Sequence, residues 1–286
     1  MVGAGFMGSG IAESAAAAGV EVVVYEPEVP ALERSSTSLA ESVERAVAKE
    51  KLTRADADAL IGRISYVTSL DALDGVDAVI EAVYEDLDVK GRLFEELDER
   101  LADAIFIASN TSSIPIAQLA ARTKHPERVV GLHFFSPVPV MKLVEVVAAI
   151  DSSPGAVAAA EAFGRQVGKQ PIRAKDRAGF VVNLLLVPYL TAAIRMLEEG
   201  LATREDIDTG MQLGCGHPMG PLTLSDFIGL DVIGAVCDSL YEEFRRPDYA
   251  APPLLKRMVT AGHLGRKTGR GFYSYTAGSQ LSAGQA

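Results

Sequence analysis

Short runs of apolar, largely β-branched residues alternate with longer amphipathic segments through the first half of the chain. The runs lack the polar alternation of a half-exposed strand, which predicts strands buried on both faces of a sheet. We predict such strands at residues 21–25, 77–80, 105–108, 129–132 and 143–147. We predict helices at residues 9–18, 31–51, 54–61, 89–101, 116–123 and 155–167. This order of elements predicts an α/β fold with a doubly wound, mostly parallel sheet covered by helices on both faces.

The pattern changes near residue 178, where long apolar segments with a helical period follow one another almost without a strand signal. We predict helices at residues 181–199, 204–213, 221–244 and 253–261. These helices indicate a second, all-α domain, which is joined to the first domain at the polar stretch 175–177. We therefore place the two domains at residues 1–176 and 177–286. The small and polar residues of the tail, 277–286, are expected to be disordered.

The composition excludes several classes of protein. A chain of 286 residues is long enough for about two domains, and its apolar share of 48% is too high for a disordered chain. Its 38 acidic and 27 basic residues give a net charge of −11, which argues against nucleic-acid binding, because that function needs a basic face. The two cysteines, Cys215 and Cys237, cannot form a disulfide framework. No Cys/His cluster has metal-ligand spacing, so we expect no metal.

The sequence also gives no sign of export or of membrane insertion. The chain opens without the basic and apolar regions of a signal peptide. Its longest apolar stretch, at residues 179–194, is interrupted by Asn183 and Pro188 and is shorter than the roughly 20 residues that a bilayer needs. We interpret this stretch as a helix buried in protein, and we expect a cytoplasmic protein that does not contact membranes.

A glycine-rich turn opens the chain and leads into an alanine-rich helix. Gly3, Gly5 and Gly8 form a G-x-G-x-x-G pattern. In such a loop the glycines allow a tight turn, close approach of a pyrophosphate and close packing of helix on strand, while the helix N-terminus attracts the phosphates. Glu26 closes the second strand, where its carboxylate can accept hydrogen bonds from both ribose hydroxyls and would repel a 2′-phosphate. We therefore predict a Rossmann-like domain that binds NAD rather than NADP; a purely structural glycine turn is the alternative.

The strand that should precede this turn is represented only by Met1 and Val2. In a doubly wound sheet that strand lies at the centre. Either the chain begins late or the sheet has a shortened central strand. Both explanations predict low thermal stability, because central burial is lost.

Four polar residues in apolar surroundings are candidates for chemistry. Ser112 lies in the polar segment that follows the strand at 105–108, and His133 ends the next strand. Glu145 lies inside an otherwise apolar strand, where a carboxylate is costly unless paired, and His133 is its logical partner. Asn183 lies in the apolar start of the helical domain. Taken singly, they could be a turn serine, a core histidine, an ion-paired surface glutamate and a helix-capping asparagine.

Six longer stretches carry a resemblance to a known family: GAGFMGSGIAE, SNTSS, GLHFFSPVPVMKLVEVV, DRAGFVVN, LGCGHPMGPLTLSDFIGLD and GRKTGRGFY. In this order they are highly specific, and the resemblance extends over essentially the whole chain apart from the first strand and the tail. The sequence resembles the L-3-hydroxyacyl-CoA dehydrogenase family, and within it the bacterial 3-hydroxybutyryl-CoA dehydrogenases. Ser136 and Leu184 depart from this resemblance, since the family often has Asn and Arg there.

The resemblance implies roles for particular residues. It implies that the catalytic residues are His133, Glu145, Ser112 and Asn183. It implies NAD contacts from Gly3, Gly5, Phe6, Met7, Gly8, Glu26, Glu85, Lys90, Asn110 and Lys267. It implies that the acyl-CoA substrate is bound by Ser42, Lys49, Ser112 and Asn183. Because CoA is strongly anionic and the protein is acidic, we also consider Arg45, Lys49 and Lys51 as cations that offset the field.

The resulting hypothesis is an NAD-dependent oxidoreductase that interconverts short-chain (S)-3-hydroxyacyl-CoA and 3-ketoacyl-CoA. His133 would serve as the acid–base group, and Glu145 would hold its ring. The alternatives are a dehydrogenase of a free hydroxy acid, such as L-gulonate or carnitine, on the same scaffold, and a non-catalytic NAD-binding protein. A homodimer built through the helical domain is also expected.

Overall fold

The computed structural model describes residues 1–275 and divides into two compact units, Met1–Phe180 and a second unit that begins at Val181. The tail predicted to be disordered, 277–286, lies outside the described residues. The first unit extends beyond residue 176, where the sequence placed the boundary. The carboxylate of Asp176 accepts hydrogen bonds from the backbone N–H groups of Ile116 and Ala117, both at 2.7 Å, which holds this stretch in the first unit.

The first unit is an α/β domain, as predicted. Its strands are β1 (Val22–Tyr25), β2 (Ile64–Val67), β3 (Ala78–Glu81), β4 (Phe106–Ser109), β5 (Val129–Phe134), β6 (Leu143–Ala148) and β7 (Gln170–Lys175). Its helices are α1 (Phe6–Ala17), α2 (Val29–Ala48), α3 (Arg54–Gly62), α4 (Leu87–Arg100), α5 (Ile116–Ala120) and α6 (Pro154–Gln166). Two apolar clusters of buried residues form its core.

The strands form two groups that meet at a single residue. β1 pairs with β2, and β3 to β7 form a five-stranded group in chain order. Val2 makes parallel bridges to Tyr25 of β1 and to Glu81 of β3, so it stands where the central strand is expected. All of the strand pairs are parallel except β5 with β6, which is antiparallel. The prediction of a doubly wound, mostly parallel sheet is therefore confirmed, with a central strand reduced to one bridging residue.

Two strands, β2 and β7, were missed by the sequence analysis. Each ends the row of strands to which it belongs, and each is only partly buried. Their sequences mix apolar residues with serine, glutamine, arginine and lysine, because an edge strand needs few apolar side chains. They therefore lack the continuous apolar run that marks the buried strands.

Within the described residues, the second unit contains helices and no named strand, as predicted. They are α7 (Val182–Glu198), α8 (Arg204–Cys215), α9 (Pro221–Ile228), α10 (Leu230–Phe244) and α11 (Pro253–Thr260). The single helix predicted at 221–244 is wrong, because Gly229 breaks it with a φ of 108°. That conformation suits glycine and interrupts the helical hydrogen-bond ladder. Both cysteines lie here as free thiols, Cys215 exposed and Cys237 buried.

Candidate active site

The glycine-rich turn leaves the start of α1 open. The N-cap residue, Gly5, has no side chain that could cap the helix, so the first N–H groups of α1 are available to an anion. A Cβ on Gly8 would lie 2.0 Å from the carbonyl oxygen of Gly3, whereas a Cβ on Gly5 would meet nothing within 4 Å. Gly8 is therefore required for packing within the protein, and Gly5 keeps free the space in front of the helix.

A cleft of about 650 Å³ lies beside this turn. Gly3, Gly5 and Phe6 form one part of its lining, and the segment after β3 forms another. Glu26, which immediately follows β1, also lines it, and its Oε2 accepts a hydrogen bond of 3.2 Å from the N–H of Ala4. The carboxylate is thereby held next to the turn, and its contact with a ribose stays a prediction.

A buried ionic network lies at the carboxyl ends of β3 and β4. Glu81, which is fully buried, accepts hydrogen bonds from Lys90 Nζ at 2.6 Å and from Ser109 Oγ at 2.7 Å. Lys90 is 1% exposed and also pairs with Glu85 Oε2 at 3.3 Å. Lys90 lies in the first turn of α4, a helix that Asp86 caps by accepting hydrogen bonds from two backbone N–H groups. The capped helix therefore places the ammonium group of Lys90 between the carboxylates of Glu81 and Glu85.

Glu85 connects this network to the segment that follows β4. Its Oε1 accepts hydrogen bonds from the Ser112 N–H at 3.1 Å, from Ser113 Oγ at 2.8 Å and from Thr111 Oγ1. Burial opposes the ionisation of Glu85, but the Lys90 charge and the hydroxyl hydrogen bonds outweigh it and lower the pKa of Glu85 below its usual value. Its carboxylate is therefore ionised at neutral pH, and its stabilising effect is lost only as the pH falls through that lowered pKa.

The side chains of Ser112, His133 and Glu145 form a continuous chain of hydrogen bonds. His133 and Glu145 are direct register partners on the antiparallel strands β5 and β6, and His133 Nδ1 lies 2.6 Å from Glu145 Oε2. On the other side of the ring, His133 Nε2 lies 2.9 Å from Ser112 Oγ. A carboxylate only accepts, so in the neutral imidazole the hydrogen belongs on Nδ1 and the lone pair on Nε2. The structure thus brings together three of the four residues implied as catalytic.

The surroundings of the imidazole restrict its orientation. His133 is 4% exposed, and Glu145 is fully buried. The rings of Phe135 and Phe180 lie with their centroids 4.7 Å and 5.5 Å from that of His133. Asn110 Oδ1 accepts a hydrogen bond of 2.9 Å from the N–H of Phe134, which fixes the end of β5. This environment favours one ring orientation and excludes most water.

The remaining candidates are placed elsewhere. Ser42, on α2, donates a hydrogen bond of 2.9 Å to Glu13 Oε1 on α1, and Lys49 caps the exposed end of α2. Arg45 pairs with Glu41 at 3.6 Å, and Lys51 is exposed. In the second unit, Asn183 lies in the first turn of α7, and Lys267 pairs with Asp231 at 2.6 Å. Their contacts with substrate or cofactor remain predictions.

Three residues that hold the candidate site in place, Glu81, Ser109 and Thr111, were not among the site residues predicted from the sequence. Glu81 ends a strand that is otherwise apolar, as Glu145 interrupts one. A lone carboxylate in such a strand needs a partner, so the sequence pattern singles out Glu81 as it singles out Glu145. Its partner Lys90 was predicted, but as a cofactor contact.

The donor set suits a dinucleotide rather than a metal ion. The uncapped helix start, the empty space over Gly5 and the carboxylate of Glu26 match the phosphate and ribose groups of NAD. In residues 1–275, no cluster of three or more His, Cys, Asp or Glu side chains could hold a metal ion. Within the same residues, no helix is both long and apolar enough to cross a membrane.

Comparison with known proteins matches both units. The model of the NAD-binding domain of 3-hydroxyacyl-CoA dehydrogenase matches residues 1–177, and the model of the C-terminal domain matches residues 179–275. The chain is 52% identical to 3-hydroxybutyryl-CoA dehydrogenase of Mycobacterium tuberculosis over 277 residues, 96% of this chain and 97% of that protein. It is 43% identical to human mitochondrial hydroxyacyl-coenzyme A dehydrogenase, with 96% of this chain and 90% of the human protein covered.

A solved structure agrees with these relatives. The (S)-3-hydroxybutyryl-CoA dehydrogenase from Ralstonia eutropha matches with a TM-score of 0.92 and 47% sequence identity, covering 96% of this chain and 98% of that one. Both family models, the relatives and the fold therefore lead to the same assignment. The chain belongs to the 3-hydroxyacyl-CoA dehydrogenases, a family of NAD-dependent enzymes.

Proposed function

We propose that this enzyme interconverts (S)-3-hydroxyacyl-CoA and 3-ketoacyl-CoA with NAD, acting on short acyl chains such as 3-hydroxybutyryl. The observation that carries the proposal is the imidazole of His133, which is held between Glu145 and Ser112 at the end of β5. The 52% identical relative from Mycobacterium tuberculosis is named 3-hydroxybutyryl-CoA dehydrogenase, which supports the choice of a four-carbon substrate.

In the direction of oxidation, Nε2 of His133 accepts the proton of the substrate's C3 hydroxyl. A neutral imidazole is suited to this transfer near pH 7. As the ring becomes positively charged, the carboxylate of Glu145, 2.6 Å from Nδ1, stabilises it and preserves its orientation. In the direction of reduction, the same nitrogen returns the proton to the C3 oxygen.

Ser112 and Asn183 position the substrate in this proposal. The Ser112 hydroxyl lies 2.9 Å from Nε2 of His133. A C3 oxygen of the substrate that approaches Nε2 would therefore also lie within hydrogen-bonding reach of this hydroxyl. Asn183 belongs to the second unit, so its amide would make catalysis depend on the approach of the two units. Both roles follow the resemblance.

The cofactor is held by residues of the first unit. The start of α1 binds the pyrophosphate and Glu26 the adenosine ribose, while Glu85, Lys90 and Asn110 support the segment beside Ser112. NAD, when bound, supplies the acceptor for the C3 hydride. Lys267, which is paired with Asp231, is a further proposed contact from the second unit.

The decisive assay measures NADH consumption with acetoacetyl-CoA, with longer 3-ketoacyl-CoAs and with free keto acids. The proposal expects the highest kcat/KM with acetoacetyl-CoA and no turnover of the free acids. Turnover of free acids alone would indicate a gulonate- or carnitine-type dehydrogenase. An absence of NADH oxidation with every acyl-CoA would indicate a non-catalytic NAD-binding protein.

Saturating NAD is expected to raise a low melting temperature. Ligand at about 100 times its Kd stabilises a folded protein by about 2.7 kcal/mol. NADP should produce a smaller shift, because its 2′-phosphate meets the carboxylate of Glu26. Differential scanning fluorimetry with both cofactors tests this expectation, and Glu26→Ala should narrow the difference between them. Equal shifts for NAD and NADP in the unaltered protein would contradict the assignment of Glu26.

Gly5→Ala should separate cofactor binding from folding. The backbone of Gly5, at a φ of −72°, tolerates alanine, and its new Cβ would meet no protein atom within 4 Å. We therefore expect an unchanged melting temperature without cofactor and a KM for NAD about ten- to a hundredfold higher, because the methyl group occupies space that the pyrophosphate needs. Gly8→Ala is the comparison, and it should lower the melting temperature itself. An unchanged KM in Gly5→Ala would place the pyrophosphate elsewhere.

We also propose a cytoplasmic homodimer that forms through α7. Leu185 on this helix is 72% exposed, and an apolar side chain of that size gains by burial in an interface. Analytical ultracentrifugation should show a dimer that Leu185→Glu converts to a monomer. Leu201→Glu, at an equally exposed leucine in the turn after α7, should leave the dimer intact. A monomeric parent protein would contradict the proposal.

A further inference from the structure

Ser112 connects two carboxylates in the first unit. Through its side chain, Ser112 Oγ lies 2.9 Å from His133 Nε2, and Nδ1 of the same ring lies 2.6 Å from Glu145 Oε2. Through its backbone, the Ser112 N–H donates a hydrogen bond of 3.1 Å to Glu85 Oε1. The hydrogen-bond chain of the candidate active site therefore ends at Glu145 in one direction and at Glu85 in the other.

Glu85 belongs to a group of side chains that carries one net negative charge. We call Glu81, Glu85 and Lys90 the Lys90 cluster. Lys90 Nζ lies 2.6 Å from Glu81 Oε1 and 3.3 Å from Glu85 Oε2. Glu81 and Lys90 are both buried, so their opposite charges offset each other at the shorter distance. The charge that remains belongs to Glu85, whose side chain is 40% exposed and is the part of the cluster that a ligand can reach.

The charge of Glu85 is fixed in position by the segment that follows β4. Glu85 Oε1 also accepts hydrogen bonds from Ser113 Oγ at 2.8 Å and from Thr111 Oγ1. Although burial opposes ionisation, the charge of Lys90 and these hydroxyl groups hold the pKa of Glu85 below its usual value. The carboxylate is therefore ionised at neutral pH, and it needs no rearrangement to act on a charge beside Ser112.

Oxidation of the C3 alcohol moves one positive charge from the cofactor to the protein. The C3 hydride carries both electrons of the C–H bond to the nicotinamide ring, which thereby loses its positive charge. The hydroxyl proton passes to Nε2 of His133, and the imidazole becomes positively charged. Glu145 stabilises the charge in this second position. In the first position, at a nicotinamide beside the same substrate carbon, the structure offers the carboxylate of Glu85.

We propose that Glu85 is the counter-charge of the oxidised nicotinamide and raises the affinity for NAD⁺ relative to NADH. The proposal rests on the proposed function, which brings the hydride acceptor to the substrate carbon held at Ser112 and His133. At an effective dielectric constant of about 20, a unit charge several ångströms away changes an affinity by about tenfold or more. The reduced ring is neutral and gains nothing from this charge. Glu85 and Glu145 thus stabilise the positive charge before and after the transfer.

The ratio of the dissociation constants for NADH and NAD⁺ isolates this effect, because the two cofactors differ by one hydride and one charge. Isothermal titration calorimetry of the whole protein without substrate gives both constants. Glu85→Gln should weaken NAD⁺ binding about tenfold more than NADH binding. Glu85→Asp retains the charge and should retain the parental ratio, even where the shorter side chain lowers both affinities. A purely structural role of Glu85 would lower both affinities equally in either variant.

Two controls separate the charge of Glu85 from its surroundings. The double variant Glu81→Gln/Lys90→Met removes the buried ion pair but leaves the net charge of the cluster unchanged, so the ratio should stay parental. Glu99→Gln, at an exposed glutamate that pairs with Lys124 near the end of α4, should alter neither dissociation constant.

Ser113→Lys tests the same charge without removing Glu85, and it serves if Glu85→Gln does not fold. The Ser113 hydroxyl lies 2.8 Å from Glu85 Oε1, so an ammonium group on this side chain would offset the carboxylate. We expect the preference for NAD⁺ to fall about tenfold, as in Glu85→Gln.

The outcomes distinguish this proposal from the proposed function. A parental ratio in folded Glu85→Gln or Ser113→Lys would overturn the counter-charge and leave the dehydrogenase assignment intact. A shifted ratio in an enzyme that turns over no acyl-CoA would support the counter-charge and contradict the proposed substrate. If the unaltered protein bound neither NAD⁺ nor NADH, both proposals would be wrong.

Discussion

His133→Gln is expected to lower kcat by about 10²–10⁴-fold, the range for the loss of a general acid–base group. Glutamine keeps a polar side chain of similar reach but has no lone pair of suitable basicity to accept the C3 hydroxyl proton. The KM for NAD should change little, because the cofactor cleft near Gly3 and Glu26 does not include His133. Steady-state kinetics with acetoacetyl-CoA and NADH give both values.

His125→Gln is the matched control for this prediction. His125 is half exposed and pairs with Asp98 at 3.3 Å, in the loop before β5, so its loss removes a histidine without touching the hydrogen-bond chain of Ser112, His133 and Glu145. It should retain the parental kcat. If His133→Gln also turned over at a near-parental rate, the proton would have to leave the substrate by another route.

Glu145→Gln is expected to produce a loss of kcat in the same range, about 10²–10⁴-fold. The amide keeps the size of the carboxylate but not its charge, so it cannot stabilise the imidazolium that forms as His133 takes the proton. An amide can also present its N–H₂ group to Nδ1, which would favour the wrong tautomer. The thermal shift caused by NAD should persist, which would show that the cofactor site remains formed.

Glu127→Gln controls for the change of charge alone. Glu127 is an exposed glutamate just before β5, and its substitution should leave kcat unaltered. A kcat of Glu145→Gln within about threefold of the parental value would show that His133 acts without its carboxylate partner, since a contribution of that size is below 1 kcal/mol.

The sequence predicted the parts of the site that depend on local structure. The spacing of Gly3, Gly5 and Gly8 specifies a turn and the start of a helix, which are local features, and the structure has both. The apolar runs of the buried strands placed Ser112 after β4 and His133 at the carboxyl end of β5, because strand ends can be identified where apolar runs stop. The cost of a buried carboxylate predicted that Glu145 pairs with His133, and the structure contains this contact.

Other features could not be predicted, because they depend on distant contacts. Glu81, Lys90 and Ser109 belong to three different elements, and nothing in their sequence spacing shows that they meet. The edge strands β2 and β7 have weak patterns, since solvent on one side relaxes the demand for apolar residues. The break at Gly229 was missed because one glycine inside a long apolar segment is also compatible with a continuous helix.

By itself, the sequence determined the order of the buried strands and of most helices, the open helix start at Gly5 and the residue types available for hydride-transfer chemistry, because periodicity and turn chemistry act over a few residues. Only the tertiary structure decided the antiparallel register that sets His133 opposite Glu145 and the burial of Lys90 between two carboxylates. The reason is physical: a pairing between strands or a shared cavity is set by how separate segments pack together, and a one-residue slip of β6 against β5 would turn Glu145 to the other face of the sheet.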